Sequence, residues 1–277
     1  METKVYESIF ICPICGERLD CLSTRAVCCK GHSFDRSRRG YYNLLVGRGG
    51  AHGDNKEMVL ARRSFLSFDL YAPLKNAVSR LVLKHTKRCG GVLDIGCGEG
   101  YYTTAFEKAL FERDGESAVY AFDISKDAVS EVGKKSERIK TAVFGAYHMP
   151  IADESLDSAV NMFSPLAPDE VARVLKPKGV FIMAIPDTDH LFELKSVLYK
   201  TPYKNTVSDS ALSGFTLIGE ETIKYKMTLD SQEKINSLFM MTPYAYRTPP
   251  EARCALSQMA RLDCTAHFRI FVYEKSV

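Results

Sequence analysis

No apolar run among the 277 residues of this chain approaches the ~20 that a bilayer-spanning helix needs, so the reading excludes a membrane. The N-terminus lacks a basic stretch followed by an apolar one, the pattern of a secretory signal. Charge of one sign is scarce as well: 37 Lys and Arg against 34 Asp and Glu leave a net of only +3. The total charge therefore announces no polyanionic partner, and any basic patch has to be local. Internal repeats and low-complexity tracts are absent. What is present is an ordinary globular composition, 45% hydrophobic and 26% charged, long enough for one large domain and a small one. Nine cysteines are an odd number, and several lie in or beside apolar strands. With no export signal, they read as reduced thiols in a cytoplasmic protein.

The most informative stretch is Val92-Leu93-Asp94-Ile95-Gly96-Cys97-Gly98-Glu99-Gly100-Tyr101-Tyr102. An apolar run ends in a carboxylate, and three alternating glycines follow. That predicts a buried parallel strand running through a tight turn into a helix. A dinucleotide-binding fingerprint would need its third glycine at position 101, which is Tyr. The Asp-x-Gly-x-Gly-x-Gly spacing instead resembles the first motif of class I S-adenosylmethionine (SAM) methyltransferases. A second acid, Asp123, closes the apolar run 118–123, and in doubly wound folds such an acid accepts from ribose hydroxyls. The plainer reading of Asp123 is a helix N-cap, shared with Ser125.

Near the N-terminus Cys12, Cys15, Cys28 and His32 are spaced C-x2-C-x12-C-x3-H. Zinc takes four such ligands in a tetrahedron, commonly as pairs on two short turns, and a closed set of four points to a structural ion. So small a unit buries little apolar surface and needs a staple. Unrelated reduced cysteines and a redox pair are the competing readings. Cys29 is an alternative to Cys28 as third ligand, and Cys21 reads as a bystander.

The expected division is a zinc-binding module at 1–34, a basic linker and helices at 35–90, and the glycine-turn domain at 91–277. Within the second part, 33–60 reads as linker or surface loop and 55–87 as two helices. From 92 to 185 strands and helices alternate, at 92–95, 101–111, 118–123, 126–137, 140–144, 157–162, 168–175 and 180–185. This predicts an α/β, doubly wound, mainly parallel sheet with helices on both faces. Lys176-Pro177-Lys178-Gly179 reads as a helix stop and turn. Residues 215–229 and 265–274 read as strands flanking a helix near 231–240.

Taken together, the zinc-ligand spacing, Gly40-Tyr41-Tyr42-Asn43-Leu44-Leu45, Ala61-Arg62-Arg63-Ser64-Phe65-Leu66, the glycine turn, His190-Leu191-x-Glu193-Leu194-Lys195 and Met241-Thr242-Pro243 resemble one family over nearly the whole chain. It is the bacterial 23S ribosomal RNA guanine-N1 methyltransferases. The resemblance implies a SAM-dependent enzyme that methylates N1 of a guanine in a hairpin loop of 23S RNA; one branch of the family is tied to macrolide resistance. It implies SAM contacts from Tyr71, Gly98, Glu99, Asp123 and His190, and the turn itself adds Asp94, Gly96 and Gly100. Each of the carried-over residues has a plainer alternative: helix-start packing for Tyr71, a solvated charge for Glu99, a surface or capping histidine for His190. Where family members often carry a Tyr-Ala-Pro-like segment, this chain has Phe163-Ser164-Pro165. A homodimer is the assembly held open.

Guanine N1 carries a proton and pairs in duplex RNA, so the target base has to lie in a loop or be extruded. Phe163 is a candidate to stack on it or, equally, a core residue. Arg38, Arg39, Arg62 and Arg63, with Arg36 and Arg48, are candidates to hold RNA, interleaved with Phe34, Tyr41 and Tyr42 as stacking aromatics. No residue is nominated as catalytic base. Two competing functions remain at this level: a SAM-dependent small-molecule methyltransferase, and a zinc-containing RNA-binding protein without methyl transfer.

Overall fold

The computed structural model describes residues 4–6, 8–47, 53–207 and 210–276. A small antiparallel sheet comes first, in the order β1 (Lys4–Tyr6), β2 (Leu19–Leu22), β3 (Arg25–Cys28) and β4 (Ser33–Asp35). The large sheet is built from β5 (Tyr42–Asn43), β6 (Gly91–Ile95), β7 (Ala118–Asp123), β8 (Lys140–Val143), β9 (Leu156–Met162), β10 (Leu175–Pro186), β11 (Phe215–Leu229) and β12 (Leu262–Lys275). Its order is β11-β12-β10-β9-β6-β7-β8-β5. Pairs from β5 through β10 are parallel, and β12 pairs antiparallel with both β10 and β11. The helices are α1 (Lys56–Ser67), α2 (Ala72–His85), α3 (Tyr101–Asp114), α4 (Lys126–Lys135), α5 (Pro168–Val174), α6 (Phe192–Leu198), α7 (Gln232–Met240) and α8 (Pro250–Ser257). The doubly wound expectation is met. Among the described residues no helix is long and apolar enough to cross a membrane.

Burial explains the sheet. All five residues of β6 and all seven of β9 are buried, as strands covered by helices on both faces must be. Successive side chains go to opposite faces. Thus Val92 joins a core with Phe65, Leu74, Val78, Phe106 and Phe268, and Leu93 joins the other core with Phe122, Phe144, Phe181 and Phe271. The chain winds outward from β6 to β7 and β8 on one side and to β9 and β10 on the other. The crevice outside the carboxyl ends of β6 and β9 is therefore the place where such folds bind ligands.

Two expectations are corrected. Residues 33–60 are not simply a loop, because they carry β4 and the edge strand β5. Tyr42 of β5 is fully buried, and its hydroxyl donates to the Leu22 carbonyl at 2.7 Å. Lys176–Gly179 is not a free turn either. It is an irregularity inside β10, with Lys178 at φ 60 and a register shift between Leu175 and Val180. The N-terminal sheet is docked on the large one. Phe10 is buried edge-on against Tyr120 at 5.8 Å, and Cys12, Leu19, Cys21 and Ala26 share the core of Phe122 and Phe144.

Candidate functional site

Two constellations stand at opposite ends of the chain's chemistry. In the N-terminal sheet, Cys12 and Cys15 precede β2, Cys28 ends β3 and His32 precedes β4. The turns are closed by Gly16 N–H donating to the Cys12 carbonyl (2.8 Å) and Gly31 N–H to the Cys28 carbonyl (3.0 Å). Zinc bonds of ~2.3 Å to sulfur and ~2.1 Å to nitrogen give tetrahedron edges of about 3.8 Å between sulfurs and about 3.6 Å from sulfur to nitrogen. The observed edges are 3.7 Å between Cys15 and Cys28 Sγ, and 3.5 and 3.4 Å from Cys12 and Cys28 Sγ to His32 Nδ1. All four ligand atoms lie within 4.8 Å of one another. The residues thus fit a structural zinc bound through His32 Nδ1, which would supply the cross-link that so small a sheet needs. Burial works to raise the Cys28 thiol, yet the backbone amides of His32 and Lys30 bring it down to about 7, favouring the thiolate. Cys29 is exposed and Cys21 is buried, and neither belongs to the group.

The second constellation is the glycine turn. Gly96, Gly98 and Gly100 all have left-handed backbone, at φ 69, 54 and 82. A side chain at 96 is also barred by space, because a Cβ there would lie 2.4 Å from Ser164 Cβ. The turns that follow β6 and β9 therefore interlock, and Ser164 Oγ donates to the Ile95 carbonyl at 2.8 Å. Asp123 joins the turn to β7: its Oδ2 accepts from Gly98 N–H (3.0 Å) and its Oδ1 from Ser125 N–H (2.8 Å). Ser125, not Asp123, caps α4. Each Asp123 oxygen keeps a lone pair for a donor in the crevice.

Deeper in, Thr103 Oγ1 donates to Asp94 Oδ2 at 2.5 Å, while Asp94 Oδ1 and Tyr102 Oη are buried with no hydrogen-bond partner. Orphaned buried polar atoms are rare, and these two are available to a ligand's donors and acceptors. Burial, reinforced by the charges of Asp123 and Glu99, pushes the Asp94 carboxyl up to about 7. Glu99 is buried rather than solvated, with Lys135 Nζ 3.7 Å away. The residues fit SAM: acids for its ammonium and ribose hydroxyls, and glycines for close approach.

Across the crevice, Tyr71 is the buried residue that opens α2, and its Oη lies 3.4 Å from His190 Nε2. His190 is buried, not a surface or capping residue; Leu191 takes the cap of α6. Both rings pack on Phe268 of β12, at 4.9 and 4.5 Å. His267 N–H donates to His190 Nδ1 at 3.3 Å. With Nδ1 accepting, the proton of the neutral ring sits on Nε2 and points at Tyr71 Oη, leaving the tyrosine hydroxyl free to donate elsewhere. Phe163, beside the glycine turn, is 43% exposed, adopts φ 63 and tilts against Phe268 at 5.7 Å. A bulky aromatic in left-handed backbone is a costly choice that clusters at functional sites.

The arginines separate. Arg38 and Arg39 are exposed in the turn that joins β4 to β5. That turn rests on α4, where a Cβ at Gly133 would meet the Arg39 carbonyl oxygen at 1.9 Å. Arg63 reaches the same helix through Glu131, at 2.9 Å. Arg62 goes elsewhere: it pairs with Asp54 at 2.6 Å and lies over Gly98. Arg36 is spent on the turn, its Nε donating to the Gly40 carbonyl at 3.1 Å. Tyr42 is in one core with Phe34 packed against it, and Tyr41 packs against the other, so the expected stacking aromatics spend their rings on packing. Arg48, Gly49 and Gly50 lie outside the described residues. Sequence reasoning missed Tyr102 and Thr103, whose place directly after the turn was the available signal. It also missed Phe268, because alternation along β12 does not say which face meets the crevice.

Two outcomes follow for this site. Cys15→Ser should release one zinc per chain and lower the melting temperature of the whole protein, since the ribbon shares a core with the large sheet; elemental analysis and a thermal melt check this. Asp94 gives a pH signature. Its folded carboxyl titrates near 7 against an ordinary 3.8, so the folded state holds more protons between those values. Its contribution to stability therefore falls as pH rises from about 4 to about 7, on the order of a few kcal/mol. The difference in stability between wild type and Asp94→Asn in urea melts should show that slope, and bound SAM should reduce it.

Comparison with known proteins places both constellations. Residues 93–183 match a family model described as a methyltransferase domain, and residues 10–46 match the zinc-ribbon model described as RlmA, N-terminal. A Bacillus subtilis (strain 168) protein, YxjB, named provisionally as a 23S rRNA (guanine-N(1)-)-methyltransferase, is 31% identical over 98% of this chain and 99% of its own length. A Micromonospora griseorubida protein with the same provisional name is 34% identical over 86% of this chain and 87% of its own. The 23S rRNA (guanine(748)-N(1))-methyltransferase of Streptomyces fradiae is 28% identical over 87% and 86%. Likeness of this extent runs through the zinc ribbon, the glycine turn and the strands beyond it, and the chain belongs to the 23S rRNA (guanine-N1)-methyltransferase family.

Proposed function

We propose that this protein transfers the methyl group of SAM to N1 of a guanine in a hairpin loop of 23S ribosomal RNA. Tyr71, Asp94, Gly96, Gly98, Glu99, Gly100, Asp123 and His190 form the SAM cleft, and Arg38, Arg39 and Arg63 form part of the RNA surface along α4. The observation that carries the reading is the interlock of Gly96 with Ser164, which sets the exposed ring of Phe163 at the mouth of the cleft. The zinc ribbon and the likeness to 23S rRNA methyltransferases support the choice of ribosomal RNA over a small molecule. A homodimer is the assembly proposed, which light scattering checks.

SAM supplies a methyl group already activated by its sulfonium, so the chain's task is alignment, the largest gain available to such a transfer. Phe163 offers a face for the extruded base, and base stacking on an aromatic is worth about 1–3 kcal/mol. His190 is an orienting group and not a base. Burial first, then the charges of Lys195 and His267, lower it to about 3, and both ring nitrogens are engaged. Asp187 is likewise committed, to Arg269 at 2.8 Å and to the Thr188 amide.

Incubation with radiolabelled SAM and unmodified 23S RNA, followed by mapping, tests the reading. One labelled guanine, modified at N1 in a hairpin loop, is expected. Label at another atom of the RNA would overturn the N1 assignment; SAM binding without RNA labelling would favour a small-molecule substrate, and absence of SAM binding a plain RNA-binding protein. Phe163→Ala should weaken RNA binding by about 1–3 kcal/mol and leave the SAM Kd unchanged, as measured by fluorescence anisotropy and calorimetry.

A further inference from the structure

We propose that Arg62 is the receptor for the carboxylate of SAM's methionyl group, held ready by Asp54. This rests on the SAM cleft of the preceding reading and gives Arg62 a role apart from RNA. A Cβ built on Gly98 would lie 3.7 Å from Arg62 Nη1 and 3.9 Å from its Cδ, so the side chain lies directly over the second glycine of the turn. The strap that carries it is fixed at several points. Asn55 caps α1 by accepting from Met58 N–H at 2.9 Å. The Asp54 carbonyl accepts from Ser125 Oγ at 3.0 Å. Gly53 sits so close to β7's end that a Cβ there would come within 2.6 Å of Ile124 Cγ2. Arg62 is thus presented from a rigid helix, with its side chain 32% exposed.

Charge complementarity names the ligand group. SAM carries two cations, the sulfonium and the α-ammonium, and one anion, the carboxylate. Asp94, Glu99 and Asp123 surround the turn, and the orphaned Asp94 Oδ1 is an acceptor for an ammonium. A carboxylate needs a cation or strong donors in the same place. Lys135 is already 3.7 Å from Glu99, whereas Arg62 gives one contact to Asp54 and retains the other donors of its fork. The positive field of Arg62 also reaches Glu99 and Asp123, opposing the rise that burial imposes on both carboxyls.

The test is calorimetric and needs no turnover. Wild type should bind SAM more tightly than decarboxylated SAM by on the order of tenfold or more, the worth of a charge-assisted bond. In Arg62→Gln that preference should collapse to within roughly threefold, with affinity for decarboxylated SAM kept, and Arg62→Lys should restore part of it. If Arg62→Gln fails to fold, Asp54→Asn decides: freeing the guanidinium should raise the preference by roughly threefold or more. An unmoved preference in the folded variant overturns the assignment. So does an Arg62→Gln protein that keeps the preference and loses RNA affinity, which would mark a phosphate contact instead. A wild type that binds neither adenosyl compound would contradict the SAM cleft itself, an outcome distinct from a SAM-binding wild type whose preference does not depend on Arg62.

Discussion

The grip of the Asp123 carboxylate on the Gly98 amide, at 3.0 Å, is the contact on which the cleft depends. A turn of left-handed glycines has no side chains to hold its shape. It is held from outside, by Asp123 at the end of β7, by the Phe122 carbonyl that accepts from Cys97 N–H at 2.9 Å, and by Ser164 pressed against Gly96. Three neighbouring strand ends thereby define one surface. The carboxyls gathered there are electrostatically unfavourable neighbours, because Asp94, Glu99 and Asp123 crowd together away from water. Burial raises all three carboxyls. A cationic ligand relieves that crowding, so SAM binding and the protonation of these carboxyls are linked.

The zinc ribbon and the methyltransferase sheet are mechanically one object. Phe10, Cys12 and Cys28 share a core with Phe122 and Phe144, and the turn carrying Arg38 and Arg39 rests on Gly133 of α4. α4 begins three residues after Asp123 and is capped by Ser125. The basic turn is thus registered against the cofactor cleft through one helix. On the proposed reading the ribbon orients RNA as well as stapling the chain.

Much of this was legible in the chain. Periodicity located the parallel strands, since fully buried strands read as unbroken apolar runs, and ligand spacing located Cys12, Cys15, Cys28 and His32. What was hidden is informative. Tyr41 and Tyr42 sit among arginines and resemble stacking residues, but β5 is an edge strand, and no local pattern reveals that a two-residue strand inserts Tyr42 into the core. Adjacent Arg62 and Arg63 look alike in sequence, yet neighbours on a helix point about 100° apart, and one reaches the cleft while the other reaches α4. The partnership of Tyr71, His190 and Phe268 joins residues nearly two hundred positions apart, and only tertiary structure brings them together.

The most direct test of the cleft is SAM calorimetry on wild type and Asp123→Ala, with zinc content measured alongside. Loss of the carboxylate should weaken SAM binding by about 1–3 kcal/mol while zinc stays at one per chain. SAM affinity unchanged in Asp123→Ala, with the protein folded and its zinc retained, would contradict the account.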